Sequence, residues 1–363
     1  MLDPTQHITT YSWPEFQNLP MTQKVRCLAR EDGSPFHTLF SQQFDRANLD
    51  RLCKLATEIR SIAKSRGGML FLQGLLNHKR AMLYFTQPSS RTFLSFVSAC
   101  QILGIHIGEV RETSTSSEFK GESQKDSIRT FSSYFDIIIM RTKEKGLAEH
   151  MAWVLSNSER PVPIINAGSG KDQHPTQALL DIYTLNRSFE RRGGLRNRTV
   201  MFIGDLARGR TVRSLSNLLL NYENIKQIFV APEGLQISQD VLDNLTERGT
   251  SWVVSSNMRE HLPDVDAIYM TRIQDEWDVT QGESASIDTS AFKIGVEEMR
   301  LCKPDAILMH PLPRRDEIAA EVDHDPRAMY WRQVRNGMWM RAALIASTFD
   351  CATRIDQFFR ENL

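Results

Sequence analysis

The sequence predicts an α/β protein with two domains, each a mainly parallel sheet flanked by helices. Short apolar runs typical of buried strands alternate with helical stretches, and there are too many runs for one small sheet. The runs are 81–85, 137–140, 162–165, 200–203, 228–230, 252–254, 267–270 and 306–309. A length of 363 residues, 41% of them hydrophobic, is enough for two separate cores.

Helical periodicity predicts the elements between and after these runs. One helix begins near Asp45 and is expected to stop at Gly67-Gly68. Other helices are expected over 92–103 and 175–185, and a final helix over about 338–359 is expected to return to the first domain. We therefore predict an N-terminal extension at 1–40, a first domain formed by 41–175 with 337–363, and a second domain at 176–336.

Composition excludes several classes of protein. Lys plus Arg and Asp plus Glu both count 44, so the basic excess typical of proteins that bind nucleic acid is missing. The five cysteines are far apart and form no C-x-x-C pair, which argues against zinc or a disulfide framework and favours a reducing cytoplasm. No apolar stretch approaches 18 residues, so we expect neither a membrane span nor a signal peptide.

The segment Ser89-Ser90-Arg91-Thr92 lies directly after one apolar run and directly before a helix. Three hydroxyls and a guanidinium at a helix N-terminus predict an anion site, because free N–H groups and the helix dipole both favour negative charge there. Simple N-capping by Ser89 or Ser90 is the alternative. Capping explains one hydroxyl and leaves the other two and the arginine unexplained.

Polar groups also follow the other runs, at the edge where parallel sheets bind ligands. After 200–203 the turn does not have G-x-G-x-x-G spacing, which argues against a dinucleotide-dependent dehydrogenase, and its arginines suit a carboxylate or phosphate. Each group alone could belong to an ordinary surface loop, and together they predict a site for anionic small molecules. The residues that carry these groups are Arg141, His174, Gln177, Arg210, Arg272, Gln274, Pro311 and Leu312.

In their order along the chain, these segments resemble the motif set of aspartate carbamoyltransferases, from about residue 41 to the end. Ornithine-type relatives usually have cysteine where Pro311 stands and lack the Arg272-x-Gln274 pair. The segments are Ser89-Ser90-Arg91-Thr92, Lys120-Gly121-Glu122, Met140-Arg141, His174-Pro175-Thr176-Gln177, Gly209-Arg210-Thr211, Thr271-Arg272-Ile273-Gln274 and His310-Pro311-Leu312-Pro313-Arg314.

The resemblance implies a role for each of these residues, without metal or cofactor. Carbamoyl phosphate would be bound by Ser89, Ser90, Arg91, Thr92, Arg141, His174, Gln177, Pro311 and Leu312, and by Ser116 and Lys120 from a neighbouring subunit of a homotrimer. Thr92, Arg141 and His174 would polarise the carbonyl oxygen. L-aspartate would be bound by Lys120, Arg210, Arg272 and Gln274.

The sequence departs from the family at two positions. Most members have glutamate where Gln87 stands and arginine where Trp277 stands, and in the family those groups help to join the domains. The resemblance leaves alternatives open: a carbamoyltransferase for another amino acid, or a catalytically silent scaffold subunit. Regulatory or dihydroorotase-like chains are candidate partners, whereas nucleic acid and membranes are not expected partners.

Overall fold

The computed structural model describes residues 7–111, 121–169, 173–275 and 287–363. The chain divides into two compact units. Unit 1 contains the described part of Met1–Leu179 together with Gly337–Leu363, and unit 2 contains Leu180–Asn336. Both crossings between units fall inside helices, α8 (Pro175–Phe189) and α12 (Tyr330–Thr348).

Unit 1 is built on a four-stranded parallel sheet in the order β2-β1-β3-β4. Sequence periodicity did not reveal β2, because this edge strand is only partly buried and includes Gly108. A Cβ atom on Gly108 would lie 2.4 Å from the Phe135 ring, so the glycine lets that ring pack against the strand. The strands are β1 (Arg80–Phe85), β2 (His106–Val110), β3 (Ile137–Arg141) and β4 (Ile164–Asn166).

Helices cover this sheet. Before α8 they are α1 (Trp13–Asn18), α2 (Met21–Cys27), α3 (Arg46–Ile62), α4 (Arg66–Leu75), α5 (Ser90–Ile102), α6 (Gln124–Tyr134) and α7 (Leu147–Ser156), and after α12 comes α13 (Ala352–Asn362).

The prediction that Gly67-Gly68 stops the first long helix was wrong. Asp45 caps α3 as expected, by accepting a hydrogen bond from the Asn48 amide, but α3 already ends at Ile62. Ser65 then caps α4 through the Gly68 amide, so both glycines lie in the first turn of α4. A Cβ atom on Gly68 would lie 2.0 Å from the Ile62 carbonyl oxygen, so this glycine permits a close approach between the two helices.

The single final helix expected over 338–359 is also two helices, α12 and α13. Asp350 adopts a left-handed conformation with φ of 55°, and the Cys351 amide donates to the Ala346 carbonyl at 2.9 Å, which ends α12. The α13 helix packs on α3, where Lys54 Nζ lies 2.7 Å from Asp356 Oδ1.

The segment before α3 contributes to the core of unit 1. Ile8 and Phe16 are fully buried and pack in one cluster with Met151 and other residues of α7. At the edge of this cluster, Lys24 Nζ lies 2.6 Å from Glu149 Oε1. The described part of this segment is thus an integral part of unit 1, stabilised mainly by burial of apolar surface.

Unit 2 is built on a five-stranded parallel sheet in the order β7-β6-β5-β8-β9. Its strands are β5 (Thr199–Ile203), β6 (Lys226–Val230), β7 (Trp252–Ser255), β8 (Ala267–Met270) and β9 (Ile307–Met309). Its helices, besides its parts of α8 and α12, are α9 (Arg210–Leu219), α10 (Gln239–Glu247) and α11 (Val296–Leu301). Among the described residues, no helix has the length and apolar character needed to cross a membrane.

Each sheet reverses its strand order once, between β1 and β3 in unit 1 and between β5 and β8 in unit 2. At such a reversal the loops leave in opposite directions and open a crevice at the carboxyl ends of the strands, where open α/β sheets bind ligands. Both crevices carry residues that the sequence singled out.

Candidate active site

The crevice of unit 1 lies between the loop after β1 and the end of β3. Phe85 pairs with Arg141 across the two strands, and the Gln87 amide donates to the Arg141 carbonyl at 3.2 Å. Ser89 is the N-cap of α5, but its hydroxyl makes no capping hydrogen bond within the described structure. The N-capping alternative is therefore not observed for Ser89, and the amide groups at the start of α5 lie where a helix N-terminus favours an anion.

Gly168 brings Arg141 and His174 together. Its φ of 106° lies in a region that favours glycine, and an added Cβ atom would lie 2.6 Å from Arg141 Nη1 and 3.1 Å from His174 Cδ2. Arg141 is 8% exposed, and its Nη1 donates to the Ala167 carbonyl at 3.2 Å. A buried guanidinium and an imidazole thus both lie next to the Cβ position of one glycine.

His174 directly precedes α8, and its carbonyl accepts the Gln177 amide at 3.0 Å. Both side chains are buried. The loop leading to them is held by the side-chain amide groups of Asn166 and Gln173, which the sequence analysis did not single out. Asn166 Oδ1 accepts the Gly168 amide at 2.9 Å, and Gln173 Oε1 accepts the Ser41 amide at 2.8 Å. The feature of the sequence that could have identified these two side chains is the polar stretch between a predicted strand and a predicted helix.

Asp205 organises the crevice of unit 2, although the sequence analysis assigned it no role. It is fully buried and accepts the Arg208 amide at 3.0 Å and the Gln274 amide at 3.1 Å. Arg208 Nε also lies 3.0 Å from Asp205 Oδ2. Burial raises the pKa of the Asp205 carboxyl, while these hydrogen bonds act in the opposite direction. The carboxylate joins the loops after β5 and β8.

The predicted aspartate-binding residues lie on these two loops. Arg210 is the first residue of α9, and Arg272 and Gln274 follow β8. All three side chains are half-buried. Arg272 Nη1 donates to the Ile273 carbonyl at 2.7 Å. Gly204, with φ of 113°, allows the loops to meet, since its Cβ atom would lie 2.1 Å from the Thr271 carbonyl oxygen.

The loop after β9 is held by His310, which is 1% exposed. Its Nδ1 accepts the Leu312 amide at 2.7 Å, so Nε2 carries the proton and donates to Glu317 at 2.8 Å. Leu312 has φ of 57°, a left-handed conformation that is rare for leucine and is associated with functional sites. Gln333 accepts the His310 amide at 2.9 Å, which ties the loop to α12.

The predicted site residues thus form two groups, one in each unit. Unit 1 contains Ser89, Ser90, Arg91, Thr92, Arg141, His174 and Gln177, and unit 2 contains Arg210, Arg272, Gln274, Pro311 and Leu312. Ser116 and Lys120 lie outside the described residues, as does Trp277.

Two family models match successive parts of the chain. Residues 37–187 match the carbamoyl-phosphate-binding domain of aspartate/ornithine carbamoyltransferases, and residues 196–348 match their aspartate/ornithine-binding domain. Together the two matches span most of the chain and include both crevices.

Individual relatives agree with these models. The chain is 41% identical to a chloroplastic aspartate carbamoyltransferase of Arabidopsis thaliana, over 88% of this chain and 81% of the relative. It is 39% identical to the aspartate carbamoyltransferase catalytic subunit of Vibrio cholerae, over 85% and 95%. A solved Trypanosoma cruzi aspartate transcarbamoylase, in complex with carbamoyl phosphate and aspartate, superposes with a TM-score of 0.78 at 36% identity, covering 88% and 97%. The chain belongs to the aspartate/ornithine carbamoyltransferase family.

Proposed function

We propose that the chain transfers the carbamoyl group of carbamoyl phosphate to the amine of L-aspartate, giving N-carbamoyl-L-aspartate and phosphate in pyrimidine biosynthesis. One observation carries the proposal: across both domains the chain is about 40% identical to proteins named aspartate carbamoyltransferases. The Arg272-x-Gln274 pair after β8 favours aspartate over ornithine, because a guanidinium pairs with a carboxylate and repels an ammonium group.

Unit 1 would bind carbamoyl phosphate. The phosphate suits the N-terminus of α5, where Ser89, Ser90, Arg91 and Thr92 supply hydroxyls and a guanidinium. Thr92 also belongs, with Arg141 and His174, to the group that would polarise the carbonyl oxygen. Because Arg141 is held by the Ala167 carbonyl and packed against Gly168, little reorganisation is needed when negative charge develops on that oxygen.

Unit 2 would bind L-aspartate. Arg210, Arg272 and Gln274 would hold its two carboxylates. The family resemblance also assigns Gln177 and the carbonyls of Pro311 and Leu312 to orienting the carbamoyl NH₂ group. The neutral amine of aspartate attacks the carbamoyl carbon, and a tetrahedral oxyanion forms. The bond between this carbon and the phosphate oxygen then breaks, and the nitrogen loses one proton, which leaves with the phosphate. Catalysis then rests on positioning and electrostatic stabilisation and needs no covalent intermediate.

The resemblance also supports a homotrimer in which Ser116 and Lys120 act in a neighbouring site, with regulatory or dihydroorotase-like chains as further candidate partners. We propose that the protein works in the cytoplasm, because its five cysteines are far apart in the sequence and form no C-x-x-C pair, a usage typical of a reducing compartment. Burial raises the pKa of the Cys100 thiol to about 12, which makes it unreactive. Cell fractionation with an antibody to the chain tests this location.

A side-by-side assay tests the activity. The purified chain is given carbamoyl phosphate with L-aspartate or with L-ornithine, and carbamoylated product and phosphate are both measured. We expect stoichiometric N-carbamoyl-L-aspartate and phosphate, no product from ornithine, and loss of both products in Arg91→Ala. Transfer to neither amino acid by a folded chain would favour the silent scaffold, and transfer to ornithine would overturn the substrate assignment.

A further inference from the structure

A buried glutamine in unit 2 connects the loop after β9 to helix α8. Gln333 lies on α12 and is 1% exposed. Its Oε1 accepts the His310 amide at 2.9 Å, and its Nε2 donates to Asp181 Oδ1 of α8 at 2.6 Å. These partners set the orientation of the Gln333 side chain, because a backbone N–H only donates and a carboxylate only accepts.

Asp181 is a fixed point for this connection. Its side chain is fully buried, and its Oδ2 accepts the Tyr269 hydroxyl of β8 at 2.8 Å. Breaking a hydrogen bond to a buried carboxylate is costly, so neither oxygen moves easily. Gln333 therefore ties the backbone of the loop after β9 to a rigid group in the core of unit 2.

The backbone after His310 needs such support. Leu312 has φ of 57°, a conformation that costs energy for a residue with a side chain and persists only where surrounding contacts impose it. One such contact is the Leu312 amide, which donates to His310 Nδ1 at 2.7 Å. His310 thus holds the segment Pro311-Leu312 from one end, and Gln333 fixes the backbone of His310 in turn.

We propose that Gln333 is a positioning residue for carbamoyl transfer, which holds the carbonyls of Pro311 and Leu312 where they accept hydrogen bonds from the carbamoyl NH₂ group. The inference rests on the proposed function, since the role of those two carbonyls belongs to it. Carbonyls held in advance orient the substrate without reorganisation, whereas a displaced loop loses the alignment of the reacting carbon. Gln333 acts through His310 and contacts no reacting atom.

Gln333→Leu tests the proposal, because it keeps the approximate size of the side chain but removes both the acceptor for the His310 amide and the donor to Asp181. We expect kcat to fall about tenfold to a hundredfold, the effect of misplaced orienting groups. The aspartate KM should stay within about twofold, because Arg272 and Gln274 lie on the loop after β8. Steady-state kinetics with both substrates measure these values.

Asn336→Leu is the matched control. Asn336 lies one turn further along α12, is 5% exposed, and its Nδ2 donates to Thr184 Oγ1 of α8 at 3.0 Å. The variant removes another buried hydrogen bond between the same two helices, and this bond does not involve the loop after β9. It should lower the Tm but leave kcat within about twofold of the wild-type value.

Acetyl phosphate provides a measurement that a merely structural role would not move. It has a methyl group where carbamoyl phosphate has NH₂, so it donates no hydrogen bond to the carbonyls of Pro311 and Leu312. Gln333→Leu should raise the KM for carbamoyl phosphate about three- to tenfold, the effect of losing one hydrogen bond. The inhibition constant of acetyl phosphate against carbamoyl phosphate, at saturating L-aspartate, should stay within about twofold.

Gln333→Asn is a milder variant, for the case that Gln333→Leu does not fold. Its amide group is one methylene closer to the backbone of α12, so it cannot reach the His310 amide and Asp181 together without moving one of them. We expect a kcat at least about threefold below wild type, with the same contrast between carbamoyl phosphate and acetyl phosphate.

The outcomes separate this proposal from the proposed function. A wild-type kcat in folded Gln333→Leu or Gln333→Asn protein overturns the proposal. An equal loss of kcat in Asn336→Leu, or an equal weakening of acetyl phosphate and carbamoyl phosphate, also overturns it, because either result leaves Gln333 a role in packing alone. Absence of any transfer by the wild-type chain would instead reject the proposed function itself.

Discussion

Gly168 determines where two proposed catalytic side chains lie. Its backbone conformation and its missing side chain are both required, since Arg141 Nη1 and His174 Cδ2 occupy the space next to its Cα atom. The Arg141 guanidinium cannot move away easily, because it is buried and hydrogen-bonded to the Ala167 carbonyl. The position of the carbonyl-polarising groups therefore depends on a residue that contacts no substrate in our proposal.

We predict that Gly168→Ala lowers kcat by about a hundredfold, because a displacement of about 1 Å at reacting groups has that effect. Gly33→Ala is the control for backbone strain alone, since Gly33 also has a positive φ, of 78°, but nothing lies within 4 Å of its Cβ position. Steady-state kinetics, with circular dichroism to verify folding, measure the difference. Equal losses in both variants would show that strain, and not the displacement of Arg141 and His174, causes the defect.

At the scale of elements, most strands could be predicted, because strands buried on both faces form continuous apolar runs. The edge strand β2 gives no such run, since its residues are partly exposed. The glycines at 67 and 68 misled the helix assignment for a different reason. Gly68 meets the packing requirement of a neighbouring helix, and that requirement is visible only once the Ile62 carbonyl is located.

His37 connects the segment before α3 to β4 and α7 of unit 1. Its Nδ1 accepts the Ile164 amide of β4 at 3.0 Å and its Nε2 lies 2.8 Å from the Ser156 hydroxyl at the end of α7. Burial lowers the pKa of His37 from its usual 6.5 to about 3. Below pH 6.5 the unfolded chain binds a proton that the folded chain does not, so folding stability is lost as pH falls from 6.5 towards 3.

We therefore predict that His37→Asn reduces the pH dependence of stability. Asparagine can still accept the Ile164 amide but does not titrate, and the wild-type contribution is about 1.4 kcal/mol for each pH unit below 6.5. Urea unfolding at pH 7, 6 and 5 measures the slope, with His106→Asn at an exposed position as the control. A slope equal to that of the wild type would contradict the role of His37, however much the unfolding free energy at pH 7 is reduced.

The N-terminal segment provides a second prediction at this scale. Phe16→Ala should destabilise unit 1 by about 3 kcal/mol or more, because it leaves a cavity in the cluster shared with α7. Leu70→Ala, at a position that is 61% exposed, should change the unfolding free energy by less than about 0.5 kcal/mol. Similar unfolding midpoints for Phe16→Ala and the wild type would show that the segment contributes little to stability.

For the whole molecule, the proposed trimer leads to a complementation test. Arg91→Ala and Lys120→Ala chains should each be inactive, but a mixture dissociated and reassembled in equal amounts should regain about one quarter of wild-type activity. Random pairing puts an intact Arg91 beside an intact neighbouring Lys120 at that fraction of sites. A mixture as inactive as either parent would contradict a shared site, and reassembled wild-type protein is the control for recovery.

The site was predictable from sequence to the extent that its residues occur in short motifs. The motifs contain the side chains proposed to touch substrates, such as Arg91 and Arg272. They do not reveal the residues that fix those side chains in place. Asp205 and Gln333 act through backbone amides of residues 69 and 23 positions away, respectively, and such partners are recognised only when the chain is folded.

The path of the chain has a consequence for its synthesis. Unit 2 is one continuous stretch, Leu180–Asn336, whereas unit 1 also requires Gly337–Leu363, including α13 against α3. On a ribosome, the N-terminal part of unit 1 emerges first but must wait for the last residues before its packing is complete. We expect unit 2 to mature first, which reverses the usual N-to-C order and leaves the apolar surface of α3 exposed to chaperones in the interval.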